Sequence, residues 1–272
     1  MTPMEVTLID HARDPLNKLY GAYRTCYTEL SPSQVWEKIK TGEIPQEKVE
    51  EFVEARLETG HSSPLEQVVF WFGISGVSRA LSHQLVRHRI GISFEQQSQR
   101  YVRYKPGKFE FLTPPTIEKA STKAHDAYQD AMEVAAKTYQ LLIDEGIPAE
   151  DARFVFPNAM PTNFQIMVNF AELLHICDLR LCHAAQGEIR FMVGLMRAAV
   201  RRVPELKLLA DKMQPKCGEQ RMGYCDEDLK KYSTCPLRFA RPHKKELFRI
   251  YEAVHKGSIR VLNDEDIQPK TE

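Results

Sequence analysis

“SHQLVRHRIGISFEQQSQRYVRY”, residues Ser82 to Tyr104, sets Arg87, His88, Arg89, Arg100 and Arg103 among the amides and hydroxyls of Gln84, Ser93, Gln96, Gln97, Ser98 and Gln99. Glu95 is its one acid. Arginine suits phosphate because its planar fork donates two parallel hydrogen bonds and stays charged. Glutamine and serine add neutral donors that orient a sugar or a base. Consecutive residues cannot share one helical face, so a helix is expected to end at the Arg87-His88-Arg89 triplet. Gly91 marks the break. The side chains then fan toward more than one ligand group. The pattern implies a phosphate-bearing, nucleotide-like ligand; a solvated, salt-bridged surface with His88 satisfied in the core is the competing reading.

The rest of the chain narrows the choice. Its 272 residues suffice for one large domain or two small ones. Lysine plus arginine total 37, as do aspartate plus glutamate, so no global field draws in a nucleic acid or an anionic membrane. The acidic start “MTPMEVTLIDHARDP” reads as neither a signal peptide nor a membrane span. Six cysteines in so long a chain do not suggest a secreted disulfide scaffold, and a cytoplasmic location is expected.

Outward from the opening stretch, “VTLIDHA” reads as a strand broken at Asp14-Pro15, and “VVFWFGISGV” as a buried strand. “SPSQVWEKIKTG” and “PQEKVEEFVEARLETG” are helices with a start signal and a glycine stop. “SRALSHQLVRHR” has helical spacing at Leu81, Leu85 and His88. Further on, “FEFLTP” is expected as a short strand, “EKASTKAHDAYQDAMEVAAKTYQLLIDEG” as a long helix ended by Gly146, and “PAEDARFVFPNAM” as a helix stopped by Pro157. “TNFQIMVN” is a strand, with helices in “AELLHICDLRLCH” and “AAQGEIRFMVGLMRAAVRRV”. Few strands and long helices without β-α-β alternation imply an α+β fold, a mixed or antiparallel sheet packed with long helices. The tail from Asp264 onward is polar and expected to fray. Neither a P-loop, a G-x-G-x-x-G nor a G-x-S-x-G elbow is present, and Gly73 and Gly76 fall inside an apolar strand.

Four ordered motifs, “HSSPLEQ”, “RHR” followed by “SQRY”, “DARFVFPNA” and “LRLCHAAQGEIR”, cover about Asp10 to Val203. Together they resemble the flavin-dependent thymidylate synthases. The chain departs in having eight residues, Ile90 to Gln97, between Arg89 and Ser98 where the family has seven. It also has Ala171 and Gly187 where the family has arginine and tryptophan.

The resemblance implies conversion of dUMP to dTMP with methylenetetrahydrofolate as carbon donor, FAD as hydride carrier and NADPH as reductant, in a homotetramer with shared active sites. It implies flavin contacts from Ser63, Arg87, His88, Arg89, Gln96, Asn169 and His175. Gln84, Leu85, Val86, Arg87, Gln97, Ser98, Gln99, Arg100, Arg153 and Arg180 would hold dUMP. Arg180 would be catalytic, stabilising charge as uracil N3 ionises, and His61 would lie on the folate side. The catalytic domain is expected over 1–210, with 211–272 a cysteine-containing extension packed on it.

Other candidates have plainer readings. Cys182 and His183 point apart on a helix. Glu66 and Glu188 fit capping or an arginine salt bridge better than acid–base work. Arg197, Arg201 and Arg202 fit a solvated helix face. Cys217, Cys225, Cys235 and His243 could bind zinc, but their spacing is longer than in common ribbons; a folded loop with free or paired thiols is expected, and no metal is assigned. The rival functions are a single-stranded RNA-binding module, with aromatics among the cations of “SQRYVRY”, and a non-catalytic flavin- or folate-binding homologue.

Overall fold

The apolar run after “HSSPLEQ” forms the central strand β2 (Val69–Ser78), with Phe70, Phe72, Ile74 and Val77 buried. It pairs antiparallel with β1 (Glu5–His11) on one side and β4 (Pro161–Asn169) on the other. β4 then takes β3 (Ile92–Gln96) antiparallel on its free edge, giving the order β1-β2-β4-β3. The β2–β4 register breaks between Ile74 and Val77, where Gly76 adopts φ +67° and donates its N–H to Asn163 Oδ1 at 3.3 Å. A side chain would resist that bulge conformation. The computed structural model describes residues 3–104 and 110–254.

Helices cover the sheet. α1 (Pro15–Thr25), α2 (Pro32–Lys40) and α3 (Gln46–Leu57) follow β1, and a 3-10 turn, Ser63–Gln67, leads into β2. α2 starts with a capping box in which Ser31 and Gln34 exchange side-chain-to-backbone hydrogen bonds. α4 (Arg79–Leu85) leaves β2 directly. Past β3 come α5 (Pro115–Glu118), α6 (Thr122–Asp144) and α7 (Ala149–Ala152), which continues as a 3-10 turn, Arg153–Val155. α8 (Phe170–Arg180) follows β4, then α9 (Gly187–Arg201) and α10 (Lys207–Lys212). The architecture is α+β, with one core that includes Phe70, Phe170, Ile176, Met192 and Met213. No helix of the described residues is long and apolar enough to cross a membrane.

Three local expectations change. α1 begins at Pro15, which was read as a break: the ring presets φ and its missing N–H is not needed in a first turn. β3 is a strand although its sequence is mostly polar, because it lies at the sheet edge. “FEFLTP” forms no strand over its described residues 110–114; Leu112 makes one backbone bond, to Ala159 O at 2.9 Å. Phe109 and the tail from Asp264 lie outside the described residues.

The chain divides into two compact units, Met1–Pro215 and Lys216–Glu272. The boundary follows the core of the first unit, where Lys212 and Met213 are buried. In the second, α11 (Leu229–Thr234) and α12 (Lys244–Val254) flank a bridge between Cys225 and His243, both buried. His243 Nε2 lies 2.8 Å from Glu227 O, Nδ1 accepts from Lys245 N at 3.2 Å, and the ring packs on Tyr232 at 4.9 Å. With both ring nitrogens engaged, His243 is a capping residue here. Among the described residues the cysteines form no disulfide.

Candidate active site

α4 ends at Leu85, and the backbone turns through the triplet as its residue types required. His88 turns inward with 5% of its surface exposed, while Arg87 and Arg89 face out. Leu85 is wholly buried and Val86 partly exposed. Gly91 takes φ +70°, and a Cβ there would lie 2.2 Å from Asn169 Nδ2. That close approach lets Asn169 donate its N–H to Gly91 O at 2.7 Å while its side chain caps α8, accepting from Glu172 N at 2.9 Å.

The cap brings Glu172 onto His88. Glu172 Oε1 lies 2.8 Å from His88 Nδ1, and Arg180 donates from Nε to His88 Nε2 at 3.1 Å. A second Arg180 nitrogen donates to Gln84 O at 3.2 Å. Burial, reinforced by Arg180 and His175, lowers the His88 pKa to about 4, so the ring is neutral near pH 7. Burial also raises Glu172, against the pull of His175. The Arg180 pKa is lowered by burial and by the like charge of Arg87. The exposed His175 packs edge-on to His88 at 5.7 Å. Among the described residues, His88, Glu172 and His175 form the cluster of potential metal ligands within 4.8 Å. Both His88 nitrogens are already bonded and Arg180 adds positive charge, so the donor set suits a hydrogen-bonded relay better than a cation.

A second group of the expected residues gathers beyond β3. Gln96 donates to Thr162 Oγ1 at 3.1 Å, and Asn163 ties Gln97 through backbone and side chain at 3.0 and 3.1 Å. Ser98 Oγ accepts from Arg100 N at 3.2 Å. Arg100 pairs with Glu150 at 2.7 Å, and Arg153 Nε donates to Glu150 O at 2.9 Å. The Arg79 pKa is lowered by burial, against the pull of Tyr104 and with a smaller push from the like charge of Arg153. Gln99 is buried, with its side chain hydrogen-bonded to Tyr104.

His61 and Ser63 form a third group, their side chains 3.2 Å apart, with Tyr27 OH 3.2 Å from His61 Nδ1 and Tyr23 OH donating to His61 O. No described hydrogen bond joins this group to the Arg180 relay. Sequence reasoning missed Glu172, Asn163, Glu150 and Arg79. “NFAELL” carried a signal for Glu172, an asparagine cap with glutamate three residues on. The others act through contacts distant in sequence.

The family described as “Thymidylate synthase complementing protein” matches residues 7–205. A flavin-dependent thymidylate synthase from Nitratidesulfovibrio vulgaris is 41% identical over 254 residues, 89% of this chain and 99% of its own length. The chain belongs to the flavin-dependent thymidylate synthase family. Another member, from Geobacter sulfurreducens, is 40% identical over 200 residues, 74% of this chain and 83% of that one. Thymidylate synthase X from Helicobacter pylori, crystallised with FAD and dUMP, shares the fold with a TM-score of 0.59. Its identity is 22%, covering 78% of this chain and 99% of that one. The segments “RHR” and “LHICDLR” carry Arg87 and Arg180, and “SQRY” and “DAR” carry Arg100 and Arg153.

Proposed function

We propose that the chain converts dUMP to dTMP, with methylenetetrahydrofolate as carbon donor and FAD reduced by NADPH as hydride carrier, as a cytoplasmic homotetramer with shared active sites. The observation that carries this reading is the setting of Arg180, a partly buried guanidinium fixed by His88 and Gln84 beside a second cation, Arg87. The residues present suit a nucleotide: Arg180 with Arg87, and Arg79 with Arg153, offer phosphate or pyrimidine oxygens a cationic surface.

Carbon 5 of uracil is a poor nucleophile until the ring becomes electron-rich. Arg180 supports that change by stabilising negative charge as N3 ionises, with no reorganisation needed at the moment of reaction. Gln99 and Arg153 would hold the pyrimidine and sugar, and Arg87 and Arg89 would reach the flavin with Ser63, Asn169 and His175. Bound FAD supplies hydride chemistry, while the protein supplies position and charge. His88 lies behind Arg180, so its part in flavin binding would be indirect. Family membership supports the enzyme reading over the RNA-binding module.

The test is an absorbance spectrum of the purified protein under anaerobic NADPH, with and without dUMP, followed by turnover of wild type and Arg180→Ala. A flavin band that bleaches, with dTMP formed by the wild type and lost in the variant, supports the reading. A protein that takes up no FAD overturns it. Flavin reduction without dTMP would instead favour the non-catalytic homologue.

A further inference from the structure

We propose that Glu172 is a positioning residue for this reaction, holding His88 in the Nδ1–H tautomer so that Nε2 can fix the Arg180 guanidinium. The inference rests on the proposed function for its consequence in turnover, though not for the relay itself.

Chemistry determines the proton positions. Arginine Nε–H can only donate, so at 3.1 Å His88 Nε2 must present its lone pair. A neutral imidazole with Nε2 bare carries its proton on Nδ1, and that proton needs an acceptor. Glu172 Oε1 supplies one at 2.8 Å. An imidazolium, or the Nε2–H tautomer, would set donor against donor and release Arg180. The relay is also enclosed: His88 is 5% exposed and Glu172 9%, so bulk water cannot easily replace either partner.

The fold makes this contact a lever on Arg180. Glu172 sits in the first turn of α8 and Arg180 at its last residue, about 12 Å along the axis. His88 comes from the turn after α4, so the relay ties both ends of α8 to that turn. Nε and one further nitrogen of Arg180 are committed, to His88 and Gln84, leaving the other guanidinium N–H groups to face a ligand. Without the carboxylate, His88 is free to take its other tautomer, and Arg180 loses the contact that sets its plane.

The experiment uses the full-length protein labelled with 15N-histidine, in wild type, Glu172→Gln and Glu172→Leu. Solid-state 15N spectra read the tautomer, with the His88 signal identified by its absence in His88→Asn. Wild type and Glu172→Gln are expected to show Nδ1–H, since the glutamine oxygen still accepts; Glu172→Leu shifts toward Nε2–H. In turnover, Glu172→Gln stays within about threefold of wild type. Glu172→Leu loses about 10–100-fold in kcat, the effect of removing a carboxylate that orients a histidine elsewhere, with a smaller change in the KM for dUMP. An Nε2–H tautomer at His88 in the wild type overturns the relay even if neither Glu172 variant folds. Full turnover in Glu172→Leu overturns its catalytic consequence. A wild type with the expected tautomer but no dTMP formation refutes the proposed function and leaves the relay standing.

Discussion

Both oxygens of Glu188 are taken by Ser78, which donates its backbone N–H to Oε1 at 2.7 Å and its hydroxyl to Oε2 at 2.6 Å. Ser78 Oγ in turn accepts from Leu81 N at 3.0 Å, capping α4. A carboxylate in the first turn of α9 thus anchors the helix that presents Gln84 and leads into the triplet.

Glu188→Ala leaves the largely buried Ser78 N–H without its partner. The expected loss is about 1–3 kcal/mol, read as a lower urea midpoint of unfolding. Glu188→Gln keeps an acceptor and should recover part of it. An unchanged midpoint in Glu188→Ala would show that the contact does not hold the corner.

Gly91→Ala should be worse than its size suggests. Its φ of +70° costs an L-residue about 1–2 kcal/mol, and the new methyl would displace the Asn169 side chain from the α8 cap. Thermal unfolding should fall, and flavin retained on purification should fall with it. A variant as stable and as yellow as the wild type would mean that the turn can move aside.

Asn163→Ala should affect substrate more than stability. Asn163 is exposed, but it ties Gln97 to β4 and receives the Gly76 N–H. Losing about 1 kcal/mol of ordering raises the KM for dUMP about fivefold, with the melting temperature little changed. If steady-state kinetics show no change in KM, Gln97 does not hold the nucleotide.

His88 makes stability depend on pH with a definite sign. Its folded pKa of about 4 lies below the ordinary value of 6.5, so the unfolded chain binds the extra proton first on acidification. The contribution is complete above pH 6.5 and is lost as pH falls toward 4, amounting to about 3 kcal/mol at most. Glu172, raised by burial, works in the opposite direction. The difference between wild-type and His88→Asn urea curves from pH 7 to 4 should therefore narrow toward the acid end. Parallel curves would place His88 in contact with water.

Residues close in sequence determined much of this protein. The Ser31 capping box, the end of α6 before Gly146, the buried run of β2 and the splitting of Arg87-His88-Arg89 all follow from local sterics and hydrogen bonding, which a short window contains. The ordered motifs carried the family for the same reason. Its residue type suited Glu188 to capping or an arginine salt bridge, but the sequence did not name its partner Ser78.

Tertiary structure decided the rest. β3 exists because β4 offers an edge to a polar segment, whereas “FEFLTP” has the alternation of a strand but gains no ladder over its described residues. Glu172 meets His88 across 84 residues and Asn163 meets Gln97 across 66. These contacts depend on sheet register and on how two helices cross. A side chain's sequence neighbours set its conformation, but only the packed core sets which distant group its protons and charges face.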